Sequence, residues 1–251
     1  MFNKYLSCNC KINTFEQLES TNITAKEFAQ NGAAEGTVII AKNQTAGKGR
    51  LARKFHSPNG GLYMSVILRP SVTVVDTTLI TAAAAVAVCN AIEKATGICT
   101  GIKWVNDVFL NGKKVCGILT VGSILPETAK FDYAILGIGL NINPPKDGLP
   151  DEIKNIATTL FDTKCDDEKF AQITAEILNE FFNIYKTLPS REFLKQYRER
   201  SIIIGTEVIC ADANHEEPVF VENIDDNANL IVKTKQGIER TLNSGEVRIK
   251  I

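Results

Sequence analysis

The pattern of the chain changes near Ser201, and this change constrains the fold more than any other feature. From Ser201 onward, five short stretches alternate apolar and polar residues between turn residues. Strands of this length and spacing are typical of a small β-barrel with its own core. The residues before Ser201 mix strand and helix patterns instead. The sequence therefore predicts two domains, a larger one over residues 1–200 and a small β domain over residues 201–251.

Strand and helix patterns follow one another through the larger domain. Apolar residues at helical spacing predict helices over residues 22–30, 75–96, 166–188 and 189–200. Ser20 and Thr21 are expected to cap the first of these helices. Apolar and β-branched runs predict strands over residues 37–41, 62–68 and 131–138, with a loop over residues 139–145. Asn111 and Gly112 predict a hairpin that joins strands at residues 108–110 and 114–121.

Composition and charge exclude several classes of protein. The 251 residues are 44% hydrophobic and 23% charged, which is ordinary for a globular protein and unlike a disordered or membrane one. With 28 basic and 29 acidic side chains, the chain has no net field to hold a DNA duplex. The N-terminus lacks a signal-peptide pattern, and the apolar run over residues 79–89 is too short to span a bilayer. We therefore expect a soluble cytoplasmic protein.

The cysteine pattern argues against a metal or disulfide scaffold. The seven cysteines form no CxxC pair, and the chain has two histidines. Neither a zinc site nor a full disulfide framework is expected from such a set. Because free cysteines are usually buried, we expect reduced and mostly buried thiols, with Cys116 in the core.

Residues 42–56 form a basic segment with five lysines and arginines and no acidic residue. Gly47 and Gly49 lie among the cations, so the backbone can bend freely and bring its N–H groups close to an anion. Arginine side chains add paired donors that suit phosphate. The sequence therefore predicts a local phosphate-binding loop after the strand over residues 37–41.

Two common nucleotide motifs do not explain this loop. Gly47, Gly49 and Ala52 match the spacing GxGxxA, but a dinucleotide fingerprint must open a helix, whereas Pro58 follows here. An acidic residue is also expected about twenty positions later, but residues 67–71 contain none. The phosphate-loop pattern GxxxxGK[ST] fails because Lys48 is followed by glycine.

Other polar segments are weak signals when taken singly. Residues 20–22 are typical of a helix cap, residues 103–107 of a solvated turn, and residues 137–143 of a turn at a strand end. Taken in order, however, these segments resemble those of the biotin–protein ligases over most of residues 18–145. The matching segments are STN at 20–22, QTAGKGR at 44–50, SPNGGLYMS at 57–65, KWVND at 103–107, KVCGIL at 114–119 and GIGLNIN at 137–143.

The resemblance implies an α+β fold and an ATP-dependent ligase. The fold would combine a mixed-sheet catalytic domain of the biotin/lipoate ligase type with a C-terminal SH3-like barrel. Such an enzyme activates biotin as biotinyl-adenylate, with Mg²⁺ accompanying ATP, and transfers it to a lysine of the carrier domain of a biotin-dependent carboxylase such as acetyl-CoA carboxylase. DNA is not expected as a partner, because about nineteen residues before Ser20 are too few for a helix-turn-helix domain. A membrane is not expected either, since the longest apolar run is too short to span a bilayer. Homodimer formation stays open.

The resemblance also implies roles for individual residues. The expected catalytic residues are Lys114, Arg50 and Asp107, with Lys114 between the biotin carboxylate and the α-phosphate and Asp107 positioning the carrier lysine. The residues expected to bind biotin are Ser20, Thr21, Asn22, Gln44, Lys48, Gly49, Arg50 and Lys114. Those expected to bind the nucleotide are Arg50, Arg53, Trp104, Asn106 and Asn141.

The chain departs from the family pattern at four positions. Family members usually read GRGRxGRxW and KWPND, whereas this chain has Lys48, Ala52, Phe55 and Val105 at the varied positions. Lys48 keeps the charge of arginine but loses its planar fork, and Phe55 keeps an aromatic face without an indole N–H. Two rival functions fit parts of the pattern: lipoate ligation, which uses similar chemistry, and non-catalytic binding of biotin or nucleotide.

Overall fold

The computed structural model describes residues 2–70, 77–125, 130–211, 216–243 and 245–249. These residues form two β-sheets and four α-helices. The strands of the larger sheet are β1 (Lys11–Leu18), β2 (Thr37–Gln44), β3 (Leu62–Leu68), β4 (Gly101–Lys103), β5 (Asp107–Leu110), β6 (Lys113–Leu125) and β7 (Lys130–Leu140). The strands of the smaller sheet are β8 (Glu207–Ala211), β9 (Glu216–Ile224), β10 (Leu230–Thr234), β11 (Glu239–Leu242) and β12 (Glu246–Ile249). The helices are α1 (Thr21–Gln30), α2 (Thr77–Thr96), α3 (Asp167–Lys186) and α4 (Phe193–Glu199).

The larger sheet is mixed, which confirms the predicted α+β class. Its strand order is β1-β2-β3-β7-β6-β5-β4. Strands β1 and β2 run parallel, whereas the other neighbours run antiparallel. Strand β3 is buried along its whole length near the middle of the sheet. The β5–β6 hairpin turns at Asn111 and Gly112, both with positive φ, as the Asn-Gly signal predicts.

Two strands of this sheet were not predicted. The apolar residues of β1, Ile12, Phe15 and Leu18, recur at every third position, so the alternation that marks a half-buried strand is missing. Pairing with β2, which begins with Lys11 opposite Thr37, holds β1 at the sheet edge. Strand β4 has three residues and is too short to give a pattern.

Helix α2 is the centre of the core. It packs against α3, α4 and strand β6, and its alanine and valine side chains are buried around nearly the whole helix. Its length and apolar composition would suit a membrane span, but 78% of its apolar window is buried inside the protein. An all-round apolar helix of this kind is expected at the centre of a globular core.

Several predicted boundaries need correction. Gly139 and Leu140 continue β7 rather than beginning a loop, because both pair with β3 and β6. Helix α3 ends at Lys186, and the helix predicted over residues 189–200 is a 3₁₀ turn followed by α4, with Arg191 at a φ of 60° between them. Ser20 occupies the N-cap position of α1 but makes no side-chain cap bond, so the predicted cap is wrong. Residues 75–76 of the predicted α2 lie outside the described residues.

The predicted β-rich segment forms the smaller sheet. Its five strands are antiparallel in the order β11-β10-β9-β8-β12. Its buried face includes Val208, Val221 and Val232. This agrees with a small C-terminal β domain. The closure of the sheet as an SH3-like barrel and a domain boundary at residue 201 stay predictions.

The two sheets are joined around the turn between β4 and β5. The indole Nε1 of Trp104 donates a hydrogen bond to the carbonyl oxygen of Ala228 at 2.8 Å. The Tyr197 hydroxyl donates to the carbonyl oxygen of Val105 at 3.0 Å. Since Trp104 and Tyr197 are both buried, the smaller sheet and α4 hold this turn in place.

Replacing Trp104 by phenylalanine should lower the free energy of unfolding by about 1 to 2 kcal/mol, because the Ala228 carbonyl would lose its donor while an aromatic ring is kept. Urea denaturation would measure this change. Tyr197→Phe removes one hydroxyl from the neighbouring Val105 carbonyl and should give a loss in the same range. Unchanged stability of Trp104→Phe would contradict a role for this bond in joining the sheets.

The thiols are less buried than predicted. All seven cysteines are free: Cys89 and Cys116 are buried, Cys99 is exposed, and the others are half-buried. Burial raises the pKa of Cys89 to about 11 and raises the pKa of Cys116 as well. Cys116 is therefore an unreactive core thiol, as predicted. The prediction of mostly buried thiols was wrong because four cysteines lie at the margin of the core.

Candidate functional site

A cavity of about 920 Å³ opens between the larger sheet and strand β12. Its walls come from the start of α1, the basic loop after β2, the β4–β5 turn, and the facing parts of β6 and β7. All thirteen residues predicted for the site line this one cavity. The structure thus brings together segments that are far apart in sequence, while the role of each residue stays a prediction.

One end of the cavity is a network of uncharged polar side chains. Gln44 Oε1 accepts hydrogen bonds from the Thr21 backbone N–H at 2.8 Å and from the Thr21 hydroxyl at 3.1 Å. Gln44 Nε2 donates to Ser57 Oγ at 2.9 Å. Ser65 Oγ lies 2.8 Å from Thr21 Oγ1 and 2.5 Å from Asn22 Oδ1. Donors and acceptors held in this way suit a polar but uncharged group of a ligand.

Glycines on β6 and β7 make room for the side chains above them. A Cβ atom on Gly137 would lie 2.3 Å from Asn22 Oδ1, and one on Gly139 would lie 2.5 Å from the Phe55 ring. A Cβ atom on Gly117, which is paired with Gly139, would lie 3.0 Å from the same ring. Phe55 therefore packs against two glycines of the sheet, and its ring forms part of the cavity wall.

If the cavity binds biotin, as the sequence resemblance implies, replacing Gly139 by alanine should weaken that binding about tenfold or more, because overpacking by one methyl group costs about 1 to 3 kcal/mol when a ring has to move. The affinity for biotin can be measured by titration calorimetry. The double variant Gly139→Ala/Phe55→Leu removes the ring that the methyl group would meet and should recover part of the affinity. An unchanged affinity in the single variant would show that the position of Phe55 does not shape the binding site in this cavity.

The basic loop folds back on itself and does not open a helix, in agreement with the sequence analysis. The Gly49 N–H donates to the Arg53 carbonyl oxygen at 2.8 Å, and the Phe55 N–H donates to the Gly47 carbonyl oxygen at 2.9 Å. A single 3₁₀ turn (Arg50–Ala52) lies between these bonds. Leu51 at its tip has a φ of 54° and is 72% exposed. The loop is thus a short two-stranded projection whose cations line the cavity.

Arg50 connects this loop to two other parts of the site. Its Nη1 donates to Asn106 Oδ1 at 3.1 Å, and its Nη2 donates to the carbonyl oxygen of Gly245 at 3.2 Å. Asn106 is held in turn by Ile118, because Asn106 Nδ2 donates to the Ile118 carbonyl oxygen at 2.9 Å. The guanidinium group therefore spans the loop, the β4–β5 turn and the residue that precedes β12.

Lys114 lies near the start of β6 with its backbone fixed on both sides. Its N–H donates to the Ile156 carbonyl oxygen, and its own carbonyl oxygen accepts from the Thr158 N–H, both at 2.9 Å. Lys114 Nζ lies 2.6 Å from Asp107 Oδ1 and 5.9 Å from the centre of the Phe55 ring. Asp107 Oδ1 has no hydrogen-bond partner within the described residues, so its contact with Lys114 is ionic without hydrogen-bond geometry. The ammonium group of Lys114 is thus held in the cavity by the negative charge of Asp107.

Two residues predicted to bind the nucleotide already make bonds within the protein. Asn141 Nδ2 donates to the Thr158 carbonyl oxygen at 3.1 Å. The Trp104 indole N–H is used by Ala228, and the residue is 3% exposed. These bonds hold the cavity walls in position. What remains for a ligand is the carbonyl oxygen of the Asn141 side chain and the edge of the Trp104 ring.

No role was predicted for Ser57, Ser65 or the C-terminal strand, although Ser57 and this strand line the cavity and Ser65 bonds to Thr21 and Asn22 in its wall. Both serines lie in the segment SPNGGLYMS, where Ser57 before β3 and Ser65 as a polar residue within this apolar strand could have been taken as a signal. Gly245 and Arg248 line the cavity from the smaller sheet. Their participation depends on how the two sheets pack, which no local pattern reveals.

A cavity lined by an uncharged polar network, a lysine and a cationic loop suits an enzyme that joins a carboxylic acid to a nucleotide. Residues 14–141 match the model of the biotin/lipoate A/B protein ligase family. The chain belongs to this family.

Relatives in sequence and structure cover most of the chain. The bifunctional ligase/repressor BirA of Bacillus spizizenii is 39% identical over 227 residues, which are 89% of this chain and 69% of that protein. The biotin–acetyl-CoA-carboxylase ligase of Mycobacterium tuberculosis is 30% identical over 232 residues, 88% of this chain and 82% of that protein. The solved biotin protein ligase from Aquifex aeolicus, in complex with biotin and ATP, has a TM-score of 0.76 at 27% identity and covers 94% of this chain and 97% of its own.

Proposed function

We infer that this chain is a biotin–protein ligase, which activates biotin with ATP as biotinyl-adenylate and transfers it to a lysine of a carrier domain. Family membership and the likeness to a solved ligase that binds biotin and ATP support this function. The name of the Mycobacterium tuberculosis relative supports a carboxylase as the carrier protein. The observation that carries the mechanism is the meeting of the uncharged polar network, Lys114 and the cationic loop around one cavity.

The first step has to bring two anions together. A carboxylate oxygen of biotin attacks the α-phosphorus of ATP, and the bond from that phosphorus to the leaving pyrophosphate breaks. We propose that Lys114 Nζ contacts both the carboxylate and the α-phosphate where the new bond forms. A fixed positive charge at this point offsets the repulsion between the anions and stabilises the charge that gathers in the transition state.

The contact between Lys114 and Asp107 suggests how the two steps are linked. Because this ion pair has no hydrogen-bond geometry, an arriving carboxylate and phosphate can take the place of Asp107 beside Lys114. Asp107 is then free to contact the amine of the carrier lysine, which must lose a proton as it attacks the mixed anhydride and AMP leaves. We propose that Asp107 positions this amine.

The other predicted residues divide between the two ends of the cavity. The uncharged network suits the ureido ring of biotin, and the cationic loop suits its carboxylate and the phosphates. We propose that Ser20, Thr21, Asn22 and Gln44 bind the ring and that Lys48, Gly49, Arg50 and Lys114 bind the carboxylate end. The residues proposed for the nucleotide are Arg50, Arg53, Trp104, Asn106 and Asn141.

A carboxylate of the cavity fits a magnesium ion that enters with ATP. The described residues contain no group of three or more cysteine, histidine, aspartate or glutamate side chains that could hold a metal on their own. Glu152 lines the cavity, whereas the Asp107 carboxylate is already paired with Lys114. Magnesium commonly takes one or two carboxylates and completes its shell with phosphate oxygens and water. When bound, it would neutralise the triphosphate, with Glu152 as its protein ligand.

Biotin and ATP together should protect the basic loop from trypsin by about tenfold or more, because its exposed tip becomes ordered over the ligands. Cleavage after Lys48, Arg50 and Arg53 can be followed by mass spectrometry. Lys235, an exposed residue after β10, serves as an internal control and should be cut at the same rate with and without ligands. Equal cleavage of the loop in both states would contradict its proposed closure.

A direct assay distinguishes this function from its rivals. The protein is incubated with MgATP, biotin and a biotin carrier domain, and the mass of the carrier is measured. Biotinylation of the carrier is the expected result. Exchange of pyrophosphate into ATP that depends on lipoate instead of biotin would favour lipoate ligation, and binding of biotin without either reaction would favour a non-catalytic protein.

We propose that the enzyme acts in the cytoplasm and does not bind DNA. The seven free cysteines support a reducing compartment. The near balance of 28 basic and 29 acidic side chains gives no field that would attract a duplex. Since a relative is named as a ligase and repressor, a gel-shift assay with duplex DNA is the appropriate test, and a stable shifted band would overturn this part of the proposal.

A further inference from the structure

Cys8 and Cys10 form a close pair of thiols outside the cavity, where the chain enters β1. Their Sγ atoms lie 3.1 Å apart and share a hydrogen bond. The sulfur atoms of a disulfide are about 2.05 Å apart, so a movement of roughly 1 Å would bring this pair to bonding distance. The proposed ligase chemistry uses neither residue.

The backbone that carries the pair is anchored to α3. Asn179 Oδ1 accepts hydrogen bonds from the backbone N–H groups of Ser7 and Cys8 at 2.8 and 3.2 Å. Asn179 Nδ2 donates to the Tyr5 carbonyl oxygen at 2.8 Å. The Cys10 N–H donates to the Cys8 carbonyl oxygen at 3.1 Å, which closes a tight turn between the two cysteines. The backbone therefore holds the two thiols next to each other in the reduced protein.

The two cysteines lie at the margin of the core and their thiols are chemically different. Both residues are half-buried, so part of each is exposed to solvent. The hydrogen bond shared with Cys10 lowers the pKa of Cys8, and the positive charge of Lys186 acts in the same direction. The same hydrogen bond and burial raise the pKa of Cys10. These directions favour Cys8 as the thiolate, which is the nucleophilic form.

We propose that Cys8 and Cys10 are a redox-active dithiol that hydroperoxides convert to an intramolecular disulfide. First, the Cys8 sulfur attacks an oxygen of hydrogen peroxide, the O–O bond breaks, and Cys8 becomes a sulfenic acid as one water leaves. The Cys10 sulfur then attacks the Cys8 sulfur, the S–O bond breaks, and a second water leaves as the S–S bond forms. Two thiols are oxidised to one disulfide, and one peroxide is reduced to two waters.

The dithiol is separated from the proposed active site by the length of β1. This strand of eight residues spans roughly 25 Å from the cysteine end to the residues next to α1. The proposal therefore goes beyond the ligase function, and its test depends on thiol chemistry rather than on activity.

The test uses the whole reduced chain. It is treated with hydrogen peroxide, its remaining thiols are blocked with N-ethylmaleimide, and it is digested with trypsin. The peptide of residues 5–11 contains both cysteines. We expect this peptide to lose both N-ethylmaleimide groups, to be lighter than the reduced peptide by two hydrogen atoms, and to recover after treatment with dithiothreitol. The exposed thiol of Cys99, on the peptide of residues 95–103, should still be blocked.

Two variants separate the roles of the thiols. Cys10→Ser should stop at the sulfenic acid of Cys8, which dimedone traps, and Cys8→Ser should react about as slowly as Cys99. Circular dichroism would verify that both variants fold. The proposal is overturned if residues 5–11 stay fully blocked while Cys99 is oxidised, or if Cys8 pairs with another cysteine. Fast oxidation of Cys8→Ser at Cys10 would overturn the assignment of Cys8 as the attacking thiol.

Discussion

Replacing Lys114 by alanine should reduce biotin-dependent exchange of pyrophosphate into ATP by about 10³-fold, which is the upper end of the range for losing one preorganised electrostatic contact. The loss should be this large because Lys114 lines the cavity beside Phe55 of the basic loop, and we propose that its Nζ contacts both reacting anions. The fold should survive, since the backbone bonds of Lys114 to Ile156 and Thr158 do not involve its side chain. Radioactive pyrophosphate exchange and circular dichroism would measure the two effects.

Lys113 offers a matched control for this variant. It precedes Lys114 on β6, and because successive strand residues point to opposite faces, its side chain turns away from the cavity. Its Nζ donates to the Lys154 carbonyl oxygen at 2.9 Å, outside the site. Lys113→Ala should therefore keep nearly full exchange activity. Similar losses of exchange activity in the two variants would mean that adenylate formation depends on the net positive charge of this segment and not on the position of Lys114.

Replacing Arg50 by glycine should let biotinyl-adenylate escape, so that lysines of unrelated proteins become biotinylated at least about tenfold more than with the native enzyme. The variant loses the bonds from the guanidinium group to Asn106 and Gly245, and bonds from a charged group are worth about 1.5 to 3 kcal/mol each. A loop released from both anchors would no longer shield the mixed anhydride. Labelling of serum albumin, read with streptavidin, would measure the release.

Two further variants test the reason for this effect. Arg50→Lys keeps the positive charge, but its single ammonium group cannot replace the planar guanidinium group in donating to both Asn106 and Gly245. It should therefore give labelling between that of the native enzyme and that of Arg50→Gly. Lys54→Gly removes an exposed cation and adds a glycine to the same loop, yet it should stay close to the native enzyme. Strong labelling by Lys54→Gly would indicate that loop flexibility alone releases the adenylate.

Local patterns predicted the elements whose residues determine their own structure. The Asn111-Gly112 turn, the buried strand β3 and the apolar helix α2 each carry their signal within a few residues. The basic loop was predicted in the same way, from glycines among cations. The edge strand β1 was missed because its position depends on pairing with β2, which lies some twenty residues further along the chain.

The candidate site was predicted as a set of residues but not as a geometry. Segments in the right order indicated which residues would meet, and they do line one cavity. The ion pair of Lys114 with Asp107 and the bond from Arg50 to Gly245 could not be foreseen. Both depend on the packing of elements distant in sequence, and the second also depends on how the smaller sheet docks against the larger one.

The bond between Arg50 and the Gly245 carbonyl oxygen joins residues 195 positions apart, and this has a consequence for protein synthesis. A ribosome makes the basic loop early, but the loop lacks its second anchor until the segment around Gly245 has been translated and has left the exit tunnel. A chain interrupted before that point would contain the cationic loop without a closed lid. We therefore expect prematurely terminated chains that lack this segment to release biotinyl-adenylate more readily than the full chain does.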